Sequence, residues 1–447
     1  MLLLAKAKSI RNSRHAPLIA VGAVVFLVSL VYLRPAIFTI PTFSFSPSHP
    51  VEVEISHNEL LETTDLFDDP FLESPAIKNL CERTEWNPKV LFTCNRSGGG
   101  VGNLRNSILN CVRYAISAGA GLTLPRVILR DPNDISHIWE RETISFDYIF
   151  DETHFVESLR LSCPQLQLFD DAKEFQEEAE EDPILLLPES LMEDTPTGIA
   201  HPERWRGKFY GWLSKERDTD SRVVVDLDRS YLKYPIYSDM DDFALSFGKI
   251  LKFRKEAREL ATTVLKNLAS KYDLHANFGD NIWKNTFFGA HLRTEVDSQR
   301  GFPVEVYEYS KYSVQSHYYL DQASTSGLPV IYLASGDVHE LYKFTQDAHL
   351  YNITVSTKHD LVNGEDKTKL ENLTFDQQAL VDYLVLMKSS EFAGVGHSSF
   401  AWNIALWRHQ FAKQRDHLSG PQLMSDELSQ IYGTVGQYLE YAACLWP

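Results

Sequence analysis

Four side chains that could bind an anion or move a proton follow a short apolar run in the second half of the chain. The run is FFGA at 287–290, and the four residues are His291, Arg293, Glu295 and Asp297. In an open α/β sheet, ligands bind just beyond the carboxyl ends of the strands. The planar guanidinium of Arg293 suits a phosphate, and a carboxylate can accept a proton. The stretch therefore indicates either a phosphate site at a strand end or a solvated charge cluster.

A group of glycines between residues 98 and 102 is the second candidate. It follows the predicted strand Lys89–Thr93 and precedes a helical pattern from Leu104 to Ile116, after which Gly121–Leu129 is predicted to form another strand. Glycine lets the backbone approach a ligand closely, and the N-terminus of a helix favours negative charge. The stretch matches neither GxGxxG nor a P-loop, so a plain tight turn is the alternative.

The third candidate lies near the C-terminus, where the predicted strand 392–396 leads into Ser398, Ser399, Phe400 and a helix. Serines at this position either cap the helix or help to hold an anion at its N-terminus. Asp382 is an acidic residue inside the apolar helix predicted over Asp376–Lys388. It is either a functional carboxylate or an acid on an exposed helix face.

No convincing metal site is visible in the sequence. The five cysteines form no CxxC pair, and they predict one or two disulfides with one thiol left over. Asp226 and Asp228 follow the predicted strand Arg222–Val225 and could chelate a divalent cation, but a turn or capping role is favoured. We therefore expect neither a metal nor another cofactor.

Two α/β lobes are expected from the order of the elements. A strand, a glycine-rich turn, a helix and a strand open the first lobe, and residues 170–205 are interpreted as a polar insertion. A long helix is predicted over Phe243–Tyr272 as the link between the lobes. Beyond residue 283, helices and strands alternate, as in a doubly wound sheet.

The N-terminal region predicts a membrane anchor. Basic residues cluster in 1–15, and residues 16–33 contain no charge, which predicts a single span with the N-terminus in the cytosol. A polar stem and three N-glycosylation sequons, at Asn95, Asn352 and Asn372, agree with a body in the Golgi or ER lumen. The net charge of −18 argues against nucleic-acid binding.

Three stretches, in register, give the chain a family resemblance. They are GGVGNLR at Gly99–Arg105 with Thr123-Leu124-Pro125 behind it, GAHLRTEVD at Gly289–Asp297, and Val381-Asp382-Tyr383 together with Gly394–Phe400. The chain resembles the GDP-fucose protein O-fucosyltransferase family and the wider superfamily with α1,6- and plant-type members. The resemblance covers roughly residues 85–430.

The resemblance implies a GT-B fold of two Rossmann-like lobes and inverting, metal-independent transfer of fucose from GDP-fucose to a protein or glycan hydroxyl. It places Arg293 on the β-phosphate with His291 in support, and Asp382 on guanine. Ser398, Ser399 and Phe400 would line the diphosphate, and Gly102 and Asn103 would approach the sugar. Together with the charge, hydropathy and element patterns, it gives this division of the chain: a cytosolic tail 1–15, an anchor 16–34, a stem 35–85, an acceptor-side lobe 86–242, a linking helix 243–282 and a nucleotide-sugar lobe 283–447.

The chain departs from the family at the position of the catalytic general base. Some members carry a carboxylate in the first loop, where this chain has glycines and Asn103. Glu295 and Asp297 are the catalytic candidates by proximity to Arg293, and a structural role for Asp297 is the alternative. A binding protein without turnover, a transferase for another nucleotide sugar and a manganese enzyme using Asp226 and Asp228 stay open as alternative functions.

Overall fold

The structure is a computed structural model that describes residues 65–130, 142–179, 181–218, 220–305, 307–414 and 420–447. All of these residues fall in the unit Leu61–Pro447. The predicted tail, the anchor over 16–34 and most of the predicted stem lie outside the described residues. Within the described ranges, no helix has the length and apolar character needed to cross a membrane.

Most of the strands belong to two sheets, one of five strands and one of six. In chain order the strands are β1 (Val90–Thr93), β2 (Gly121–Thr123), β3 (Val127–Ile128), β4 (Thr143–Ile144), β5 (Leu168–Phe169), β6 (Ile184–Leu186), β7 (Asp194–Thr195), β8 (Gly198–Ile199), β9 (Val223–Leu227), β10 (Phe288–His291), β11 (Val330–Ala334), β12 (Thr354–Ser356), β13 (Glu391–Val395), β14 (Gln422–Ser425) and β15 (Ser429–Tyr432).

Helices separate most of these strands and cover the sheets. They are α1 (Pro75–Arg83), α2 (Val101–Ala118), α3 (Glu152–Ser162), α4 (Lys173–Glu177), α5 (Trp205–Glu216), α6 (Asp241–Phe247), α7 (Lys255–Lys271), α8 (Val296–Gly301), α9 (Tyr312–Ser326), α10 (Val338–His349), α11 (Lys358–Leu361), α12 (Gly364–Asn372), α13 (Phe375–Lys388), α14 (Ser399–His409) and α15 (Leu439–Cys444).

The first sheet has the order β5-β2-β1-β9-β6, and its strands pair in parallel. All four residues of β1, VLFT, are buried, as is typical of a parallel strand covered on both faces. β1 ends at Thr93, and the chain then passes through the glycine-rich turn into α2. The carboxyl edge of this sheet therefore presents the glycines predicted from the sequence.

The second sheet has the order β12-β11-β10-β13-β15-β14, and only the edge pair β14–β15 is antiparallel. Helices cross between the strands, so the expected doubly wound arrangement is confirmed for this part of the chain. β10 ends at His291 and β13 ends at Val395 beside it. The HLR stretch and the serine-containing stretch therefore leave the same edge of one sheet.

Two expectations for the first sheet are wrong. The predicted strand Gly121–Leu129 is divided at Pro125 into β2, which belongs to the sheet, and β3, which pairs with β4 in a separate ribbon. Residues 170–205 are more than an insertion, because they contain β6, which pairs with β9 in the sheet.

The predicted long helix Phe243–Tyr272 is also interrupted. α6 ends at Phe247, and α7 begins only at Lys255. Between them the backbone pairs with another segment: the Asp151 N–H donates to the Lys252 carbonyl, and the Arg254 N–H donates to the Ile149 carbonyl. α7 then packs along α13 of the second sheet.

The prediction of one or two disulfides with one thiol left over is confirmed, because the structure contains two disulfides and one free cysteine. Cys81 pairs with Cys163, which ties α1 to the end of α3, and Cys94 pairs with Cys111, which ties the end of β1 to α2. Their Cα separations of 5.5 and 6.4 Å are within the normal range for disulfides. Cys444 is free and buried.

This pairing predicts the result of thiol counting. Alkylation of the denatured chain without reductant should label Cys444 alone, and prior reduction should expose all five cysteines to the reagent. Intact-mass analysis counts the added groups. Labelling of three or five cysteines before reduction would contradict the disulfide assignment.

Candidate functional site

A cleft of about 810 Å³ lies between the carboxyl edges of the two sheets. The glycine-rich turn at 99–103 lines one side, and the ends of β10, β11 and β13 supply residues to the other. All ten predicted site residues line it, which confirms that the stretches face one groove: Gly102, Asn103, His291, Arg293, Glu295, Asp297, Asp382, Ser398, Ser399 and Phe400.

Two helix N-termini meet in this cleft. α2 begins after Gly100, and α14 begins after Ser398, whose hydroxyl accepts a hydrogen bond from the Ala401 N–H. A Cβ built on Gly102 would lie 2.7 Å from the Ser399 carbonyl carbon, so the helices touch where only glycine fits. The first N–H groups of each helix lack intrahelical acceptors, and both dipoles favour an anion. The arrangement therefore suits a phosphate group.

Arg293 is held between two carboxylates. Its Nη1 donates to Glu295 at 2.6 Å, and its Nη1 and Nη2 donate to the two oxygens of Asp297 at 2.9 and 2.7 Å. Gln315 fixes the backbone on both sides, accepting from the Arg293 N–H and donating to the Arg293 carbonyl, each at 2.8 Å. The position of the guanidinium is thus determined before any ligand arrives.

Glu295 is strongly acidic in this setting. Burial opposes its ionisation, but the charge of Arg293 outweighs burial and, with hydrogen bonds from Arg293 and the Gly336 N–H, lowers the pKa of Glu295 to about 2. Burial acts to lower the pKa of Arg293, but the charges and hydrogen bonds of Glu295 and Asp297 outweigh burial and raise it. A carboxylate with so low a pKa is a weak proton acceptor.

Two buried histidines complete the wall beside Arg293. Burial lowers the pKa of His291 to about 4 and that of His397 to about 3, so both rings are neutral at physiological pH. His291 contacts the Phe400 ring, with centroids 4.5 Å apart, and His397 Nε2 lies 3.0 Å from the Ser298 hydroxyl. His397 is not among the candidates selected from the sequence, but it lies in the lining of the cleft.

On the side of the cleft formed by the glycine-rich turn, the amide oxygen of Asn103 is a hydrogen-bond acceptor that is not used. Its Oδ1 is buried and meets no hydrogen-bond donor among the described residues. Buried polar atoms are rarely left without a partner, so an unpaired amide oxygen beside a cleft suggests a ligand donor there.

Asp382 lies deep in the cleft, on the middle of α13. Its Oδ1 accepts from the Tyr332 hydroxyl at 2.7 Å, and its Oδ2 accepts from Lys358 Nζ at 2.6 Å. Sequence reasoning did not select Lys358, although it follows β12 by two residues. The rule that ligands gather at strand ends could have found it.

The same rule could have found Arg130 and Tyr231, which line the cleft close behind β3 and β9. Arg130 Nε donates to Asp376 Oδ1 at 3.0 Å, which joins a residue near the first sheet to the start of α13. Sequence reasoning missed this ion pair because its partners are 246 residues apart in the chain.

The alternative metal pair lies elsewhere. Asp226 accepts from the Thr93 hydroxyl at 2.8 Å and from Arg96 Nε at 2.9 Å, and neither Asp226 nor Asp228 lines the cleft. In the ranges that the structure describes, no group of three or more His, Cys, Asp or Glu side chains is placed to hold a metal ion.

The model of the GDP-fucose protein O-fucosyltransferase family matches residues 90–410, most of the chain. No curated protein sequence matches. Similar solved structures include POFUT1 in complex with GDP-fucose, at 14% identity and a TM-score of 0.44, covering 78% of this chain and 100% of that one. NodZ α-1,6-fucosyltransferase soaked with GDP-fucose has 13% identity and a TM-score of 0.39, with 72% and 92% covered. A mutant of FUT1 from Arabidopsis thaliana in complex with GDP has 12% identity and a TM-score of 0.39, with 74% and 71% covered.

Proposed function

The chain belongs to the GDP-fucose protein O-fucosyltransferase family of glycosyltransferases, and we propose that it transfers fucose from GDP-fucose to an acceptor hydroxyl within the cleft. The single observation that carries this proposal is the position of Arg293. A fixed guanidinium lines the same cleft as two helix N-termini, so hydrogen-bond donors suited to an anion converge where a diphosphate would lie.

The chemistry follows from charge development. When the bond between fucose and GDP breaks, negative charge grows on the departing diphosphate. Arg293 and the N–H groups at the starts of α2 and α14 can stabilise that charge without reorganising. In this proposal Glu295 and Asp297 position the guanidinium, because both are committed to it by short hydrogen bonds.

We propose direct displacement with inversion at the sugar. A retaining route needs a carboxylate free to attack the sugar. In the described lining of the cleft, Glu295 and Asp297 are bound to Arg293, and Asp382 is bound to Lys358. The Asn103 amide oxygen, which is buried and unpaired among the described residues, would receive the hydrogen bond of a sugar or acceptor hydroxyl.

Transfer should proceed without a divalent cation. With Arg293 stabilising the diphosphate, we expect EDTA to leave the rate of GDP release from GDP-fucose unchanged. The assay uses the full-length chain in detergent and measures GDP released, with and without EDTA. Loss of turnover that manganese restores, together with inactive Asp226→Ala and Asp228→Ala variants, would instead establish the metal-dependent alternative.

The proposal extends to location and to the two sides of the cleft. We propose a single-pass type II protein, anchored through 16–34, with its body in the Golgi or ER lumen. The two disulfides support an oxidising compartment, and Asn352 and Asn372 of the sequons are exposed. The lobe 86–242 would receive the protein or glycan acceptor, and the lobe 283–447 would hold the nucleotide sugar.

One observation favours a second candidate, a GDP-fucose-binding protein without turnover. Residues 98–105 contain no acid, and the described carboxylates of the cleft are paired. Calorimetric titration and the GDP-release assay together separate the two: both candidates bind GDP-fucose in the titration, but this one releases no GDP over hours, whereas the enzyme releases GDP steadily.

A further inference from the structure

We propose that Tyr231, Phe302 and Tyr441 form an acceptor subsite in the cleft, and that the acceptor they receive is a sugar ring of a glycan. The inference rests on the proposed function, because it names the acceptor class of the same cleft. Neither the motifs nor the family resemblance selected any of these three residues.

The three aromatic side chains reach the cleft from three different elements. Tyr231 follows β9 by four residues, Phe302 directly follows α8, and Tyr441 lies in α15. Phe302 packs on His397, with ring centroids 5.0 Å apart, and His397 belongs to the wall beside Arg293. The aromatic group therefore borders the place where the proposed function puts the diphosphate and the bond that breaks.

Tyr438 holds two of these rings in place. Its ring centroid lies 6.3 Å from that of Phe302 and 5.2 Å from that of Tyr441. Tyr438 precedes α15 with a φ of 60°, a left-handed conformation that is uncommon for a large side chain. Backbone strain of this kind persists where the surrounding structure imposes it, often at ligand sites. Here it sets the Tyr438 ring against two rings of the cleft wall, which makes that wall rigid.

Rings that carry hydroxyls match the surface of a pyranose. A pyranose has faces of C–H groups, which pack on aromatic rings, and a rim of hydroxyls, which need hydrogen-bond partners. Among the described residues, the hydroxyls of Tyr231 and Tyr441 have no hydrogen-bond partner. Each phenol can both donate and accept, so each can bond a sugar hydroxyl in either sense.

A peptide acceptor would need different surroundings. A peptide that binds as an added strand requires a free strand edge beside the site. The strands of the second sheet that end at the cleft, β10, β11 and β13, all lie inside their sheet, and so do β1 and β9 in the first sheet. These strands therefore offer a peptide backbone no edge to pair with.

The range of the family match separates this subsite from the donor site. The family model matches residues 90–410, which include Arg293, whereas Tyr441 lies beyond that range. The family is named for one donor, GDP-fucose, so groups that bind the donor are expected inside the matched range. A wall that depends on α15 suits what can differ between members, which is the acceptor. The family is also named for protein acceptors, and this chain would depart from that in taking a glycan.

An acceptor hydroxyl held in this subsite would react at the anomeric carbon of fucose. Its oxygen bonds to that carbon, the bond to GDP breaks, and GDP leaves with the electron pair of that bond. The hydroxyl proton passes to water. The Asn103 amide oxygen, buried and unpaired among the described residues, accepts the hydrogen bond that orients the hydroxyl. The products are GDP, the fucosylated glycan and one proton.

The test measures transfer of labelled fucose from GDP-fucose by the full-length chain in detergent. The acceptors are methyl pyranosides of glucose, galactose, mannose, xylose and N-acetylglucosamine, and linear and disulfide-bonded peptides that contain serine and threonine. At least one glycoside should be fucosylated, with a kcat/KM at least tenfold above that of any peptide. Phe302→Leu and Tyr441→Leu should each raise the KM for that glycoside roughly 10- to 100-fold, and the KM for GDP-fucose far less. Tyr441→Phe, which keeps the ring, should raise the glycoside KM only about threefold to tenfold.

A control and a folding measurement keep the result interpretable. Phe175 is 4% exposed and lies outside the cleft lining, so Phe175→Leu should keep the KM for the glycoside near that of the wild type. Unfolding temperature is measured for every variant. If the leucine variants do not fold, Tyr441→Phe decides the question, and an unchanged glycoside KM in that variant would overturn the inference.

Three further outcomes would overturn the acceptor subsite. Equal rises in the two KM values would assign the rings to the donor. Transfer to a peptide with a kcat/KM equal to or above that of every glycoside would assign a protein acceptor, and hydrolysis of GDP-fucose without transfer to any glycoside would leave the subsite without a sugar. Each of these leaves the proposed use of GDP-fucose standing. A wild type that releases no GDP from GDP-fucose with any acceptor would overturn both proposals.

Discussion

Replacing Arg293 with alanine should lower the rate of GDP release from GDP-fucose by about a hundredfold, which corresponds to about 3 kcal/mol of transition-state stabilisation. The guanidinium is the charge that the fold holds in place for the departing diphosphate, fixed by Glu295 and Asp297 at distances of 2.6–2.9 Å. Arg293→Lys should recover only part of the rate, because an ammonium group cannot bind two oxygens with a planar fork.

The loss must be separated from a loss of folding, since Arg293→Ala leaves two carboxylates without their partner. Arg258 gives a matched control: it is 3% exposed, pairs with Asp65 and Asp151, and does not line the cleft. Arg258→Lys should lower the unfolding temperature and leave GDP release per folded molecule near that of the wild type. A folded Arg293→Ala protein with near-normal turnover would remove Arg293 from the mechanism.

Replacing Gly102 with alanine should have the second-largest effect. The added methyl would lie 2.7 Å from the Ser399 carbonyl carbon and 2.9 Å from the Phe400 nitrogen, and both of these atoms belong to the backbone. The starts of α2 and α14 must therefore move apart. We expect a loss of about 1–3 kcal/mol in the free energy of unfolding and a roughly 10- to 100-fold slower GDP release.

Gly211→Ala is the matched control for that variant. Gly211 lies within α5, and no atom lies within 4 Å of a Cβ built on it. The same substitution there should raise the free energy of unfolding by about 0.5–1 kcal/mol and leave GDP release unchanged. Wild-type activity and stability in Gly102→Ala would show that the two helices do not need this close contact.

The site was predictable where its chemistry is local in the chain. The segment Gly289–Asp297 contains a buried strand end and the charges that follow it, and the glycine-rich turn likewise stands between a strand and a helix. The strand-end rule then places such segments at one edge of a sheet. Polar residues that follow apolar strands therefore reveal the cleft without any knowledge of distant contacts.

The features that the sequence left hidden depend on distant contacts. Asp382 reads as an isolated acid because its partner Lys358 lies 24 residues away on another element. The break between α6 and α7 comes from hydrogen bonds to Ile149 and Asp151, while the apolar periodicity continues on both sides of it. Pattern reasoning detects which face of a helix is buried, but tertiary backbone pairing decides where the helix stops.

Hydrogen–deuterium exchange on the full-length chain, with and without GDP-fucose, tests the central claim most directly. One ligand bound in the cleft should slow amide exchange at 99–105 beside the first sheet and at 293–297 and 398–400 beside the second. The Gly102→Ala variant should lose the effect at both sheets together. Protection confined to one sheet, or to residues outside the cleft, would contradict a donor site shared between the two sheets.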